Sequence, residues 1–227
     1  MDALVYDLRH GLRLLFKHPS FTVIAITILA LGIGANSAIF SIVNGVLLRP
    51  LDFDSPDRLL MIWGQNQKTG VQSDPVSYPN FLDWRKRNRS FEEMAAVTPL
   101  WRFNMTGTGN PERITGMFAT PNLMRTLGAG PFMGRDFTEA DAAAGSEPTI
   151  ILSHKFWQRK FSSNPAIIGN SVMLDGIAFT AIAILPPGLS VLENVDIWTP
   201  ITADNPAMAR FIDRRSVRLF RPIGRLR

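Results

Sequence analysis

The feature that most constrains this chain is an uninterrupted apolar stretch near its N-terminus. Residues 19–48 contain no Asp, Glu, Lys or Arg. About 20 apolar residues in an α-helix cross a hydrocarbon core of ~30 Å. A soluble core helix as long as this stretch would carry a charged face toward water. The sequence therefore predicts a transmembrane helix, which we assign to residues 20–50.

The residues before this stretch have the pattern of an amphipathic helix. Leucines recur at three- and four-residue spacing on one side. The basic stripe on another side consists of Arg9, Arg13 and Lys17. Such a helix lies in the headgroup layer with its basic side toward anionic lipid. Pro19 would end it, and Ser20 is placed to cap the next helix. Residues 1–19 are therefore predicted to be an interfacial helix that binds membrane lipid and meets the span at an elbow.

The charges on either side of the span predict its orientation. Basic residues precede it, whereas Arg49 and Arg58 follow it among three aspartates. The positive-inside rule then puts the N-terminus in the cytoplasm and the rest of the chain outside. A cleavable signal peptide is an open alternative, because Ala35 and Ser37 have the small size that cleavage requires. The apolar run continues to Leu48, which favours a retained span, and both interpretations export the same domain.

A face of small residues within the span predicts contact with other helices. It consists of Ala30, Gly34, Ala38, Ser41 and Gly45. Small faces let helices approach closely in lipid, where packing drives association. Asn36 and Asn44 are costly in hydrocarbon unless another helix or the interface meets them. The sequence thus expects partner helices that this chain does not supply. The alternative is that lipid merely tolerates the small residues.

The composition of residues 51–227 is that of a mixed globular domain. Strands are predicted at 58–63, within 94–119, and at 149–152, 172–174, 178–185 and 197–200. Helices are predicted from Ser77, at 122–127 and at 155–161, with Ser77 and Ser153 as N-caps. Strands mixed with short helices, without a repeated βαβ rhythm, predict an α+β fold.

More local signals refine this domain. Asp175-Gly176 is a strong hairpin signal. Ser90 and Thr138 each have an acidic residue three positions later, as in a capping box. Phe81 and Trp84 are predicted to lie on the inner face of the helix that Ser77 begins. Residues 65–74 are predicted to be a polar loop.

The end of the chain is strongly basic. Seven arginines lie in the last eighteen residues: Arg210, Arg214, Arg215, Arg218, Arg221, Arg225 and Arg227. Apolar and basic residues interleave in 217–227, as on a strand with one wet face. Nucleic-acid binding, which the net charge of +5 invites, would need this surface in the cytoplasm, and the predicted topology opposes that. We therefore predict a strand and no nucleic-acid partner, and its abrupt end predicts a truncated domain.

The sequence does not offer the residues of an enzyme or metal site. It has no cysteine, so it predicts no disulfide and no thiolate metal site. Its three histidines are His10, His18 and His154, two of them beside the span, so neither a zinc trio nor a catalytic triad is expected. A P-loop is absent from the sequence. Glu139 and Asp141 fit charges at a helix start. We predict no catalytic residue, no metal ligand and no cofactor.

Residues 30–51, ALGIGANSAIFSIVNGVLLRPL, closely resemble the first transmembrane segment of MacB/FtsX-type ABC transporter permeases, particularly the large permeases common in Acidobacteria. The same resemblance continues in order through SYPNFLDWR (77–85), RSFE (89–92), LG through GRDFT (127–138), LSHKFW (152–157), RKF (159–161), IGN (168–170), LDG (174–176), LPPG (185–188) and IGRL (223–226). It covers nearly the whole chain. Ala183 departs from it, since glycine is expected there.

The resemblance implies a MacB-like periplasmic core domain, at residues 51–227, inserted between the first two transmembrane helices of an inner-membrane permease. It implies further permease helices, a homodimer and an ABC ATPase, which here would be a separate subunit. ATP-driven motion of the helices would be passed to the periplasmic domain for export or other envelope work. The alternative is a single-span anchored extracytoplasmic binding module. Neither interpretation identifies a substrate.

Overall fold

The computed structural model describes residues 16–17, 19–43, 53–66, 70–107, 109–189 and 195–227. The chain divides into two compact units, Met1–Pro50 and Leu51–Arg227. The first unit contributes the helix α1 (Pro19–Val43). The second, called the folded unit below, combines a mixed sheet with short helices. The α+β fold predicted from the sequence is confirmed.

The folded unit is built from short elements. Its α-helices are α2 (Tyr78–Arg87), α3 (Leu123–Leu127), α4 (His154–Phe161) and α5 (Pro206–Ile212). Its strands are β1 (Leu59–Met61), β2 (Gly64–Asn66), β3 (Val71–Asp74), β4 (Phe91–Val97), β5 (Trp101–Thr106), β6 (Glu112–Ala119), β7 (Met133–Gly134), β8 (Thr149–Leu152), β9 (Ser171–Leu174), β10 (Ile177–Ile184), β11 (Ile197–Pro200) and β12 (Arg221–Leu226). Among the described residues, 3₁₀ turns cover Pro56–Arg58, Glu139–Ala142 and Pro165–Ile167.

Ten strands form one sheet in the order β1-β12-β4-β6-β11-β8-β10-β9-β5, with β7 added on β10. Because β5 also pairs with β6, six of these strands close into a circuit: β6, β11, β8, β10, β9 and β5. Strands β4, β12 and β1 extend from that circuit. The pairs β6–β11 and β8–β10 are parallel. Strands β2 and β3 form a separate antiparallel pair.

Both faces of the sheet are covered by apolar clusters. In β8, Ile150 and Leu152 contribute to one cluster and Ile151 to the other, as the two-residue period of a strand requires. All four residues of β8 are buried. A bulge in β10 interrupts this alternation, since its register with β8 shifts between Ala181 and Ala183. The core therefore consists of two layers on opposite sides of one sheet.

The predicted turn and caps are present. Asp175 and Gly176 have φ angles of 49° and 81°, the left-handed conformation that a type I′ turn requires. They join β9 to β10, which pair antiparallel. The side chain of Ser77 accepts a hydrogen bond from Asn80 N, and that of Ser153 accepts one from Phe156 N. Thr138 forms a capping box with Asp141. These local predictions are confirmed.

Other local predictions are wrong. The loop predicted at 65–74 is wrong at both of its ends, because β2 and β3 pair through Gly64 and Asp74 and through Asn66 and Val71; residues 67–69 lie outside the described residues. Main-chain hydrogen bonds hold a strand pair whatever the polarity of its side chains. Ser90 precedes β4 instead of a helix. Ser20 lies inside α1, which begins at Pro19, since proline is well suited to a first helical turn.

Trp84 is not on the inner face of α2. Tyr78, Phe81 and the half-buried Arg85 line that face, because residues three and four apart share one side of a helix. The Phe81 side chain is fully buried, whereas Trp84 is 36% exposed. At about 100° per residue, Trp84 lies about 120° from Tyr78 around the helix axis. It therefore falls at the edge of the buried stripe.

Candidate functional site: the apolar helix and the folded unit

The helix α1 exposes its apolar side chains. Phe21, Leu31 and Phe40 are 68%, 68% and 63% exposed. Within the described residues, Pro19–Ser41 is the one helical segment long and apolar enough to cross a membrane. Burying that much apolar surface is strongly favourable, so the helix needs apolar surroundings. The hydroxyl of Thr27, a polar residue within this helix, donates a hydrogen bond to the main-chain oxygen of Val23 at 2.7 Å.

Four of the five small residues predicted to pack against other helices lie in α1: Ala30, Gly34, Ala38 and Ser41. Gly45, the fifth, lies outside the described residues. A Cβ added at Gly34 would meet nothing within 4 Å. The face is therefore open in the described part of this chain, and its packing role stays a prediction.

The basic stripe before the span is mostly outside the described residues, which include neither Arg9 nor Arg13. Lys17 is described, and it is helical and exposed. The predicted elbow at Pro19 involves residues 1–15 and 18, which also lie outside the description. The interfacial role of the three basic residues stays a prediction.

The acidic residues near 139 serve the fold. Asp141 is buried and accepts hydrogen bonds from both terminal nitrogens of Arg135, each at 2.8 Å. It also accepts from the main-chain nitrogen and the hydroxyl of Thr138, at 2.8 and 2.7 Å. The guanidinium of Arg135, aided by Thr138, lowers the pKa of Asp141 from 3.8 to about 2 despite burial. Asp141 is therefore held ionised as a structural anchor.

The basic end of the chain is also part of the fold. Pro222 to Arg225 are buried in β12, because β12 pairs with β1 on one side and β4 on the other. The prediction of a strand is confirmed, and the prediction of a wet face is wrong. Outside β12, Arg215 lies 2.8 Å from Asp83, and Arg218 forms an ion pair with Asp74. These arginines neutralise acids of the same unit.

No group of three His, Asp or Glu side chains in the described part of the chain is arranged to hold a metal ion. The features above thus define a class of protein: a mixed α+β domain whose chain also carries an apolar helix with the length and composition of a membrane span.

Comparisons with known proteins are consistent with this class. A family model for the MacB-like periplasmic core domain matches residues 22–220. The chain therefore belongs to the MacB-like periplasmic core domain family, and it represents the periplasmic domain of a MacB/FtsX-like ABC transporter permease. The match includes most of α1 as well as the folded unit. No curated protein matched the chain significantly.

Solved structures share the fold at low sequence identity. The periplasmic region of MacB from Actinobacillus actinomycetemcomitans is 11% identical with a TM-score of 0.57, over 75% of each chain. A domain of a putative permease from Porphyromonas gingivalis is 18% identical with a TM-score of 0.57, over 78% of this chain and 76% of that one. The extracellular domain of the noncanonic ABC-type transporter YknZ from Gram-positive bacteria is 15% identical with a TM-score of 0.50, over 74% and 81%.

Proposed function

We propose that this chain is the N-terminal part of an ABC transporter permease whose periplasmic domain couples ATP-driven motion of transmembrane helices to export or envelope work. The observation that carries the proposal is the single family match that runs from the apolar helix into the folded unit, residues 22–220. A domain that shares its chain with a membrane helix receives any movement of that helix through a covalent connection.

The proposed topology follows the sequence. Residues 1–19 lie at the cytoplasmic surface of the inner membrane, 20–50 cross it, and 51–227 are periplasmic. The basic residues Arg9, Arg13 and Lys17 precede the span, and the positive-inside rule keeps such residues in the cytoplasm. The exposed apolar surface of α1 supports insertion in lipid.

The proposed partners are an ABC ATPase on a separate polypeptide, further permease helices and a second copy of the permease. A P-loop is absent from this sequence, so ATP hydrolysis would have to come from another polypeptide or segment. The small face of α1 supports close contact with other helices, because Gly34 offers open space to an approaching backbone.

Co-purification tests this proposal. The native locus product would be solubilised in detergent and isolated, and the bound proteins would be identified by mass spectrometry. We expect an ATPase with a P-loop, with ATP turnover that rises when the permease is bound. An ATPase variant without its P-loop lysine serves as the control for contaminating turnover. If no ATPase binds, the transporter proposal fails and the anchored binding module takes its place.

A further inference from the structure

A small cavity of about 160 Å³ lies at one end of the sheet. Residues of β8, β10 and β11 line it, together with the segment before β8 and the segment that leads from β11 into α5. Its apolar wall consists of Pro148, Ile177, Phe179, Pro200 and Pro206. A protein cavity of about 150 Å³ can hold a benzene molecule. This cavity therefore has room for a ligand built on one small ring.

Thr199 is a buried polar residue whose side chain is aimed into this cavity. It lines the cavity and is only 2% exposed. Ile197 and Ile201, two positions before and after it, belong to the apolar cluster that contains Phe179. Side chains two residues apart along a strand share one side of the sheet. The Thr199 side chain therefore lies on the side where Phe179 forms the apolar wall.

The hydroxyl of Thr199 is an independent indication of a ligand. It has no hydrogen-bond partner among the described residues. The hydroxyl of Thr149, in the same wall, also lacks a partner there but is sealed from any probe, whereas that of Thr199 keeps accessible surface. Polar groups in protein interiors are nearly always paired. A polar group of a ligand held deep in the cavity would provide the missing partner.

The rim of the cavity favours positive charge. Asp204 is exposed there, and its carboxylate accepts a hydrogen bond from the main-chain nitrogen of Gly145 across the rim. Asp204 has no ion pair within the described part of the chain. Asp141, the second carboxylate in the lining, is already neutralised by Arg135. None of the described residues that line the cavity is Lys or Arg. Asp204 is therefore the charge available to a ligand.

We propose that this cavity binds a small organic cation that carries a hydrogen-bonding group at its other end. The ammonium group would lie at Asp204 on the rim, the apolar body would pack against Phe179, and the second polar group would reach the hydroxyl of Thr199. The site goes beyond the proposed transport function and does not depend on an ATPase. It gives the folded unit a ligand of its own.

Ligand-observed saturation-transfer NMR at pH 7, on the whole chain in nanodiscs of zwitterionic lipid, tests the site. The probe is 4-hydroxybenzylamine, and empty nanodiscs measure its partitioning into lipid. We expect saturable binding. 4-Hydroxybenzyl alcohol should bind about tenfold more weakly, because it cannot form a charged hydrogen bond with Asp204. Benzylamine should bind several-fold more weakly, because it leaves the Thr199 hydroxyl unpaired.

Matched variants locate the binding. Asp204→Asn keeps an acceptor for Gly145 but removes the charge, so it should weaken binding of 4-hydroxybenzylamine about tenfold. Asp57→Asn, which removes an exposed charge outside the cavity lining, should leave binding unchanged.

Thr199→Val separates binding from folding. Valine keeps the shape of threonine, and the hydroxyl that it removes has no partner among the described residues, so the midpoint of urea unfolding should not fall. Binding of 4-hydroxybenzylamine should fall to the level of benzylamine, whose own binding should not change. The proposal is overturned if 4-hydroxybenzylamine does not saturate, if the alcohol binds equally well, or if either Asp204→Asn or Thr199→Val binds it like the unmodified chain.

Discussion

The guanidinium of Arg225 donates a hydrogen bond from Nε to the main-chain oxygen of Thr126 at 2.7 Å. Arg225 is only 5% exposed, and its Nη2 has no hydrogen-bond partner among the described residues. Thr126 lies in the last turn of α3, where main-chain oxygens lack partners within the helix and attract cations. This contact joins β12 to α3, and both elements contribute to the same apolar cluster. Residues next to it should therefore be sensitive to substitution.

Gly128→Ala is expected to destabilise the folded unit by about 2–4 kcal/mol. Gly128 has a φ angle of +68°, where a side chain itself costs about 1–2 kcal/mol. The added Cβ would also lie 2.5 Å from Arg225 Nη2 and 2.8 Å from Asp54 Cβ. Urea unfolding in nanodiscs, followed by tryptophan fluorescence, measures the loss, because all five tryptophans lie in the folded unit.

Gly169→Ala is the control for Gly128→Ala. It separates the two contributions to the loss of stability, which are backbone strain at a positive φ angle and steric clash with neighbouring atoms. Gly169 has a similar φ angle of +83°, yet its added Cβ would meet nothing within 4 Å. We expect it to lose only the strain energy of about 1 kcal/mol. Equal losses for the two variants would contradict a role for the packing around Arg225.

Gly134→Ala is expected to be more damaging than Gly128→Ala. At φ +85°, its Cβ would lie 2.1 Å from the main-chain oxygen of Ile182 and 2.8 Å from Ala183 Cα. Main chain in the middle of a sheet cannot move aside as a side chain does, so we expect a loss of about 4 kcal/mol or failure to fold. Gly130→Ala, with open space around its Cβ, should be nearly neutral. The same urea titration compares them, and a stable Gly134→Ala chain would show that β7 leaves its pairing with β10.

Asp141→Asn tests the anchor formed with Arg135. The pKa of Asp141, about 2 in the folded unit, lies below its ordinary value of 3.8. Its stabilising contribution is therefore fully present above about pH 4 and is lost as the pH falls through about 2. Asp141→Asn should cost about 1–3 kcal/mol at pH 7 and should reduce the loss of stability between pH 4 and 2.

Glu139→Gln is the control for Asp141→Asn, since it removes a charge from the same 3₁₀ turn. The Glu139 side chain is 69% exposed and lies 3.7 Å from Arg85, and exposed ion pairs contribute little. We expect a change below about 0.5 kcal/mol and an unchanged pH dependence. The midpoint of urea unfolding would be measured for both variants at pH 7, 4, 3 and 2. Equal midpoints for the two variants at each pH would contradict the role of Asp141 as a structural anchor.

Elements encoded by neighbouring residues were predictable from the sequence. Asp175-Gly176 specifies its hairpin because both residues tolerate the left-handed backbone that the turn needs. Ser77 and Ser153 specify helix starts because a hydroxyl three residues before a main-chain N–H reaches it. In each case the interacting groups lie within a few positions of each other, so the pattern is visible in a short window.

Relationships between distant residues were not predictable. The interleaved pattern of 217–227 is the same for an edge strand and for a central one, and only the pairing of Ile223 with Ala95 and with Met61 makes β12 central. The hydrogen-bond acceptor of Arg225 is a main-chain oxygen, and because every residue has one, the sequence does not identify this partner. Trp198 has the pattern of an ordinary core residue of β11 in the sequence, which does not reveal that its indole Nε1 is buried without a hydrogen-bond partner among the described residues. These features depend on register across the sheet.

The proposed topology predicts which side of the membrane each unit faces. The chain contains no cysteine, so single cysteines can be introduced without a background. Lys86→Cys in the exposed surface of α2 should react with a membrane-impermeant maleimide in cells whose outer membrane is permeabilised. Arg9→Cys should react only after the inner membrane is opened. The reverse labelling pattern would contradict a cytoplasmic N-terminus. Separately, N-terminal sequencing of the mature protein would indicate a cleaved signal peptide if its first residue followed Ser37.

The small face of α1 predicts a position-specific effect on helix association. Gly34→Leu fills the face where the backbone of a partner helix is expected to approach. Gly32→Leu is the control, because it adds the same side chain to the same helix away from that face. A Cβ added at either glycine would meet nothing within 4 Å in this chain. Because close packing drives association in lipid, Gly34→Leu should reduce self-association or recovery of the ATPase by about tenfold, an effect of about 1.4 kcal/mol. Gly32→Leu should change neither. Fluorescence energy transfer between labelled copies in lipid vesicles measures the first quantity, and quantitative co-purification measures the second. Equal behaviour of the two variants would mean that lipid merely tolerates the small residues, and that the contacts of the permease with its partners involve other surfaces.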